Sequence, residues 1–375
     1  MGDIDSLGPH TDGQPGLSAF GLGLLTELAP PGAWVRRPPL PGPRLQIRSV
    51  SARAIADSWS GLDEIGWQGA IDGAPFVVER GVGGDHRFVH GTPPGQGGAR
   101  SDGNDKPPRN DRPPNETRAI HHLSADAGLL QCAPADPADP SWWRVVLDSA
   151  LFTVALLRGY EALHSGAVAT PEGAIAIAAA TGGGKSTLLT ELLGRGHALL
   201  ADDVLVLEPR GEQPPLAHPG PPLMTVPANR LPALHEQSHR PGRRPDPPQE
   251  IASLGDERWI AVPVHPEPLP LRALVVLDRR PASQPPGSRT AGSGPETGSG
   301  SPGSGPATKP TLERIEDPLA PLLGTLIGFP RSPERRRTRF ELASVLAGTI
   351  ALWRLTAPLD TPPEVLADAL LAGVL

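Results

Sequence analysis

The stretch that most constrains how this chain can fold is Gly173–Gly194. A run of small apolar residues, Ala174–Ala179, leads through Ala180 and Thr181 into Gly182, Gly183 and Gly184. Lys185, Ser186 and Thr187 come next, then Leu188, Leu189, Leu192 and Leu193 at helical spacing. The apolar run reads as a buried strand and the leucines as one face of a helix. Glycines between strand and helix let backbone N–H groups converge on an anion. The helix N-terminus adds unpaired donors and a positive dipole end. The pattern predicts a phosphate-binding loop in which Lys185 reaches the outer phosphates and Ser186 offers its hydroxyl to Mg²⁺. The first glycine of the usual G-x-x-x-x-G-K-[S/T] spacing falls on Ala179. An alanine is tolerable there unless the position needs a positive φ.

A second feature lies at Gly196–Leu207, where an apolar run is broken by Asp202 and Asp203 before apolar sequence resumes. Asp202 lies 17 residues after Lys185, room for one short helix, a glycine stop and one returning strand. A right-handed crossover makes that strand parallel to the first. Loop and acid pair then share the carboxyl edge of the sheet, where α/β folds bind ligands. An acid doublet inside an apolar run is costly to bury without a cation. Beside a triphosphate, one carboxylate can hold Mg²⁺ and the other can take a proton from an attacking hydroxyl. His164, in Leu163-His164-Ser165-Gly166, precedes a short apolar strand, Ala167–Ala169, placed to pair with Ala174–Ala179.

Composition limits how much else can fold. The chain has 49 Pro and 44 Gly among 375 residues, with 38% hydrophobic and 4% aromatic residues. Such an excess implies long stretches that cannot bury enough apolar area to offset their ordering entropy. Gly91–Arg118 and Pro281–Pro310 read as flexible insertions. Glu208–Glu250 reads as a third, proline-heavy one that keeps Leu223, Met224, Val226, Leu231 and Leu234 as anchors. The domain organisation expected is an N-terminal region, 1–117, with a small β-rich part at 44–90, and a catalytic domain over 118–375. Within the latter, 141–159 reads as a helix with Val146, Ala150, Val154 and Leu157 on one stripe, and Leu271–Leu277 as a buried strand. Phe340–Leu352 and Pro363–Leu371 read as two closing helices. Strands alternating with helices point to an α/β class. Net charge is −7, against a nucleic-acid binder held by a basic face. No apolar stretch is long enough to span a bilayer and no signal segment is seen. The single cysteine, Cys132, fits a reducing compartment, so a cytoplasmic protein is expected.

The order of these elements resembles the HPr kinase/phosphorylase family, and in particular its stand-alone kinase-like relatives. The resemblance is carried by Leu163-His164-Ser165-Gly166, by Gly182–Thr187, and by Arg195-Gly196-His197-Ala198-Leu199-Leu200-Ala201-Asp202-Asp203. It is close over residues 160–207 and looser to the C-terminus. It implies an ATP-dependent serine kinase acting on a peptide or small protein, built on a P-loop, PEP-carboxykinase-like core. By position it assigns phosphate and metal to Lys185 and Ser186, and base and Mg²⁺ contact to the aspartates. Of these Asp202 is favoured as base and Asp203 as metal ligand. His164 matches the active-site histidine. The family's basic residue against the transferring phosphate is assigned to Arg258, with Arg335–Arg339 as a rival whose plainer reading is a solvated helix start. The signature that HPr-specific members carry after the doublet is not visible. A shikimate- or gluconate-type small-molecule kinase, or a non-catalytic nucleotide-binding module, are the alternatives; the former class usually begins at its phosphate loop. From composition, deleting Pro281–Pro310 is expected to leave nucleotide binding intact, and a collapse in thermal stability counts against it.

Overall fold

A computed structural model describes residues 16–36, 40, 44–71, 74–91, 117–231, 249–254, 256–280, 309–328 and 332–374. It is a mixed α/β structure of three sheets. The first holds β1 (Leu17–Ala19), β2 (Leu22–Thr26), β3 (Leu45–Ser49), β4 (Leu62–Ile71), β5 (Ala74–Gly81), β6 (His86–His90), β7 (Ala119–Leu123) and β8 (Leu129–Pro134), in the order β1-β2-β3-β8-β7-β6-β5-β4. Helix α1 (Ala52–Ser58), capped by Ser51, packs on it through Ile55.

The second sheet carries the glycine loop. Its strands are β9 (Glu161–Leu163), β10 (Gly166–Thr170), β11 (Gly173–Ala179), β12 (Ala198–Ala201), β13 (Leu205–Arg210), β14 (Gln213–Ala217), β18 (Leu269–Arg280), β19 (Thr311–Arg314) and β20 (Ala351–Pro358). The third sheet is β15 (Leu223–Pro227), β17 (Glu257–Ala261) and β16 (Gln249–Leu254). β10 and β11 form the expected hairpin, with Ala169 opposite Ala174. The loop leads into α3 (Lys185–Gly194), which buries Leu188, Leu189 and Leu192. The crossover returns as β12, antiparallel to β10 and hence parallel to β11, with β10 between them. The two functional strand ends thus point the same way, one strand apart.

Residues 142–157 form one helix, α2, in three parts: Trp142–Val145, a π-helical turn Val146–Ala150, and Leu151–Leu157. A π turn adds a residue and shifts the phase of the helix beyond it. Leu157, expected on the buried stripe, is accordingly exposed, while Val146, Ala150 and Val154 remain buried.

Several boundaries differ from those the sequence pattern suggests. The division at 117/118 falls inside the first sheet, because β7 pairs with β6 and β8 completes the pairing with β3. One hydrophobic core runs from Leu45, Phe88 and Leu130 of that sheet through Trp143, Val146 and Leu151 of α2 to Ala162, Val206 and Trp259. The expected insertion at 208–250 carries the end of β13, all of β14 and β15, and the start of β16. Residues 208–217 belong to β13 and β14, and Leu223, Met224 and Val226 are buried. Residues 232–248 of that tract, with Leu234, fall outside the described residues, as do 92–116 and 281–308. Among the described residues the remaining α-helices are α4 (Leu319–Thr325), α5 (Pro333–Thr349) and α6 (Pro363–Val374). α5 begins at Ser332, whose side chain accepts from the Arg335 amide, with proline at its first position. The arginine run hid this start, and Leu352 lies in β20 instead of in a helix. Among the described residues no helix is long and apolar enough to cross a membrane.

This arrangement bears on deletion of the 281–310 tract and on acid sensitivity. β18 and β19 flank β20 on either side, with Arg280 opposite Pro358 and Thr311 opposite Thr356, so the ends of the tract sit two strand spacings, about 9.6 Å, apart across the sheet and two residues, roughly 7 Å, apart along it. Excising it therefore requires a bridge of about four Gly/Ser residues, and with it the thermal midpoint is expected to hold, whereas direct fusion lowers it. Acid sensitivity arises from two buried histidines. Burial, reinforced by Arg80, pushes His86 down to about 4. Burial, reinforced by His90, pushes His121 down to about 3, and the His121 ring is stacked on Trp142 with neither nitrogen hydrogen-bonded. The unfolded chain takes up these protons near pH 6.5 and the folded one only well below it. Each ring thus contributes a loss of stability as pH falls below about 6.5, of about 1.4 kcal/mol per pH unit, while the Glu161 and Asp202 carboxyls, pushed up to about 7 by burial, take up protons in the fold over the same range and oppose it. The difference in thermal unfolding between wild type and His121→Phe, which keeps an aromatic ring, isolates one ring: between about pH 7.5 and about pH 5 the variant should gain on the wild type as pH falls.

Candidate active site

The loop is shaped by its glycines. Gly182 and Gly184 have φ of 76° and 90°, the left-handed region where a side chain is strained. The Gly183 amide donates to the Ala180 carbonyl at 2.8 Å, and a Cβ built on Gly183 would lie 2.8 Å from that same oxygen. Ala179, by contrast, ends β11 in register with Leu277 of β18 and has no positive φ. The missing first glycine therefore costs the loop nothing in backbone strain. Ser186 and Thr187 sit partly exposed at the start of α3, and the Leu188 amide closes its first turn on the Gly184 carbonyl at 3.0 Å.

The acid pair leaves β12 in a tight turn. The Val204 amide donates to the Asp202 carbonyl at 2.6 Å, with Asp203 between them at φ 58°, an arrangement of γ-turn type that is strained for a non-glycine residue. The turn throws the two carboxylates in different directions. Asp202 points inward with its side chain 8% exposed, while Asp203 is 42% exposed. One Asp202 oxygen, Oδ2, accepts from the Thr225 amide of β15 at 2.9 Å. Its Oδ1 is buried without a hydrogen bond and lies 3.9 Å from Lys185 Nζ. Lys185 donates to Asp203 Oδ1 in a close, charge-assisted hydrogen bond. Lysine and both aspartates thus converge on one edge of the sheet, as their spacing predicts.

Protonation depends on this geometry. Burial, then the Asp203 charge, pushes Asp202 up to about 7, with Lys185 and the Thr225 amide opposing. Burial also works against ionising Asp203, but Lys185, then His164 and Arg144, outweigh it and hold this carboxyl below its ordinary range. For Lys185, burial is outweighed by Asp202 and Asp203, and its pKa is raised. The His164 side chain reaches solvent, yet desolvation by the surrounding protein and the Lys185 charge hold it below the usual histidine value, with Asp203 pulling the other way. Its backbone is fixed by the amide's hydrogen bond to the Thr325 carbonyl at 2.8 Å.

The arginines are distributed differently from what the sequence suggests. Arg258 lies in β17 opposite Val226, 3.4 Å from Glu250 and donating to the Glu257 carbonyl at 2.9 Å, contacts that run along its own sheet. Arg335 is not a solvated helix start. It pairs with buried Glu161 at 2.6 Å and donates to the Tyr160 carbonyl at 3.1 Å, while Arg339 donates to the Leu326 carbonyl at 2.9 Å. Arg335 ties α5 to the strand that leads to His164, and Arg339 ties it to the end of α4, the helix before it. Three residues near the site were missed. Asp148 and Arg144, on and beside the π turn, are paired at 3.3 Å. Asp148 raises both Lys185 and Asp202, and Arg144 lowers Asp203. Arg279, at the end of β18, lies against Gly184. The signals that could have found them were an i,i+4 charge pair inside an otherwise apolar helix, and a basic residue at the carboxyl end of an apolar strand.

No family model matches the chain, and no curated protein matches it. Among solved structures the chain is similar to the Hpr(Ser) kinase/phosphatase from Coxiella burnetii, at 15% sequence identity and a TM-score of 0.28, over 56% of this chain and 94% of that one.

The central ion cluster makes a prediction independent of any activity. Lys185→Met leaves two neighbouring carboxylates without their shared cation and should destabilise the fold by about 1–3 kcal/mol, whereas adding Asp203→Asn to that variant recovers part of the loss. Additive effects in chemical denaturation would argue that the lysine and Asp203 are not coupled.

Proposed function

We propose that the chain is an ATP- and Mg²⁺-dependent kinase that transfers the γ-phosphoryl group to a hydroxyl, with a serine of a peptide or small protein as acceptor, on a P-loop core of PEP-carboxykinase-like type. The observation that carries this reading is the convergence of Lys185, Asp202 and Asp203 beside a glycine loop at a helix N-terminus. Phosphoryl transfer asks a protein mainly for positioning and charge neutralisation, and these residues supply both.

Asp202 is suited to the base role. Thr225 fixes one of its oxygens, which orients the other, unpartnered Oδ1 toward the cluster. There it can take the acceptor's proton as the serine oxygen forms its bond to the γ-phosphorus and the bond to the β–γ bridging oxygen breaks, releasing ADP. Asp203, held ionised and open to the site, and the Ser186 hydroxyl fit a divalent ion. Among the described residues no group of three or more ligating side chains is poised for a metal. Mg²⁺ commonly completes its shell with water and substrate phosphates, so this sparse donor set suits it. When bound, the ion supplies charge neutralisation on the phosphates. Lys185 moves its charge from Asp203 to the outer phosphates, and His164 lies beside the entering hydroxyl.

Incubation with labelled ATP, Mg²⁺, a serine-containing peptide library and a panel of small metabolites tests the reading. Label should pass to peptide, and Asp202→Asn should cut transfer by about 10²–10⁴-fold while retaining ATP binding. Label on a metabolite instead would favour the small-molecule alternative. Transfer indifferent to Asp202→Asn would remove Asp202 from the base role, and ATP binding with no label passed to either class of acceptor would point to a non-catalytic module.

A further inference from the structure

Arg279 occupies the end of β18, the strand that pairs parallel with β11 and so reaches the same sheet edge as the glycine loop. Its guanidinium is locked from one side. Nη2 donates to the carbonyls of Pro358, Leu359 and Thr361, and Nε reaches the Pro358 carbonyl at 3.4 Å. These ties, all to the segment between β20 and α6, leave Nη1 directed at the loop. It would lie 3.1 Å from a Cβ placed on Gly184, and Cδ 3.4 Å from it. Gly184 is therefore required twice, once for its φ of 90° and once to let the guanidinium approach.

Burial disfavours the Arg279 charge and Asp360 supports it. A guanidinium held against a phosphate-type loop is a positive flank that an anion would relieve. In the sheet order β12-β10-β11-β18 the carboxylates lie on one side of the loop and Arg279 on the other. The metal-binding end and the guanidinium end are thus separated across the loop.

We propose that Arg279 binds the phosphates that remain with the nucleoside after transfer, on the flank of the loop away from the aspartates. This rests on the kinase reading above and adds the polarity of the nucleotide in the site: γ-phosphate toward Asp202 and Asp203, α- and β-phosphates toward Arg279. A planar guanidinium already fixed by three carbonyls loses little freedom on pairing with a phosphate. Because ADP and ATP share these phosphates, the contact stabilises both alike.

The test is a titration of the full chain with fluorescent ADP and fluorescent ATP in Mg²⁺, for wild type, Arg279→Gln and Arg279→Lys. Thermal midpoints are measured alongside, since Arg279 also holds the β20–α6 segment, and affinities are compared at a temperature where every variant is folded. The expected result is a loss of about tenfold in affinity for ADP and for ATP by the same factor, with Lys better than Gln. A loss confined to ATP would place Arg279 at the γ-phosphate and overturn the proposal, as would unchanged ADP affinity in Arg279→Gln. A wild-type chain that binds neither nucleotide defeats the kinase reading itself, and this inference with it.

Discussion

A single buried lysine makes this architecture possible. Two adjacent carboxylates at the end of an apolar strand repel each other, and burial penalises both. In a low-dielectric setting that combination persists only when a cation and hydrogen-bond donors answer it. Lys185 supplies the cation and the Thr225 amide supplies a donor. The consequences spread outward. Thr225 can serve only because β15 is pinned by β17 across five residue pairs. Lys185 can serve only because the glycine loop and α3 deliver it from β11, one strand removed from β12. The third sheet, peripheral by topology alone, is thereby part of the acid pair's support.

The local chemistry was legible because it is written at short range. A small-residue strand, three glycines, a lysine and a leucine face specify strand, loop and helix within 22 residues, and the doublet's distance from the lysine fixes the crossover. The strand inserted between β11 and β12 was not, because β10 pairs with both, and period-2 patterning says nothing about which strand neighbours which. The proline-rich tract after Glu208 misled for a related reason. Proline removes donors, yet Pro214, Pro215 and Pro227 all lie within strands, positions that leave enough of the ladder intact. The extent of the first sheet was hidden because its pairing spans Gly91–Arg118, whose composition reads as a break.

The arginines show most clearly what a sequence conceals. Arg335 and Arg339 look like surface charge in a row, yet one neutralises a buried glutamate and the other closes carbonyls of a preceding helix. Burial alone would push Glu161 upward, and it is raised to about 7 even with Arg335 beside it; the guanidinium limits that penalty and anchors β9. Arg279 reads as one half of an Arg-Arg pair at a strand end, but only three-dimensional pairing reveals that it faces a glycine. Charge in this protein is allocated by topology: the same residue type braces one helix, pairs along one sheet and lines one loop.

The π-helical turn in α2 has a consequence for how this site could be altered. An α-helix advances about 100° per residue, so the one surplus residue between Val146 and Ala150 acts as an angular spacer. Upstream of it the helix presents Trp142 and Trp143 to the first sheet; within it sits the Asp148 carboxylate whose field reaches the lysine. Removing one residue there would restore regular winding at little cost to local helicity, yet it would turn the two halves of the rod relative to each other. Either the tryptophans or the aspartate would then face the wrong way, so this short irregularity sets the alignment between the eight-stranded sheet and the chemistry beside it.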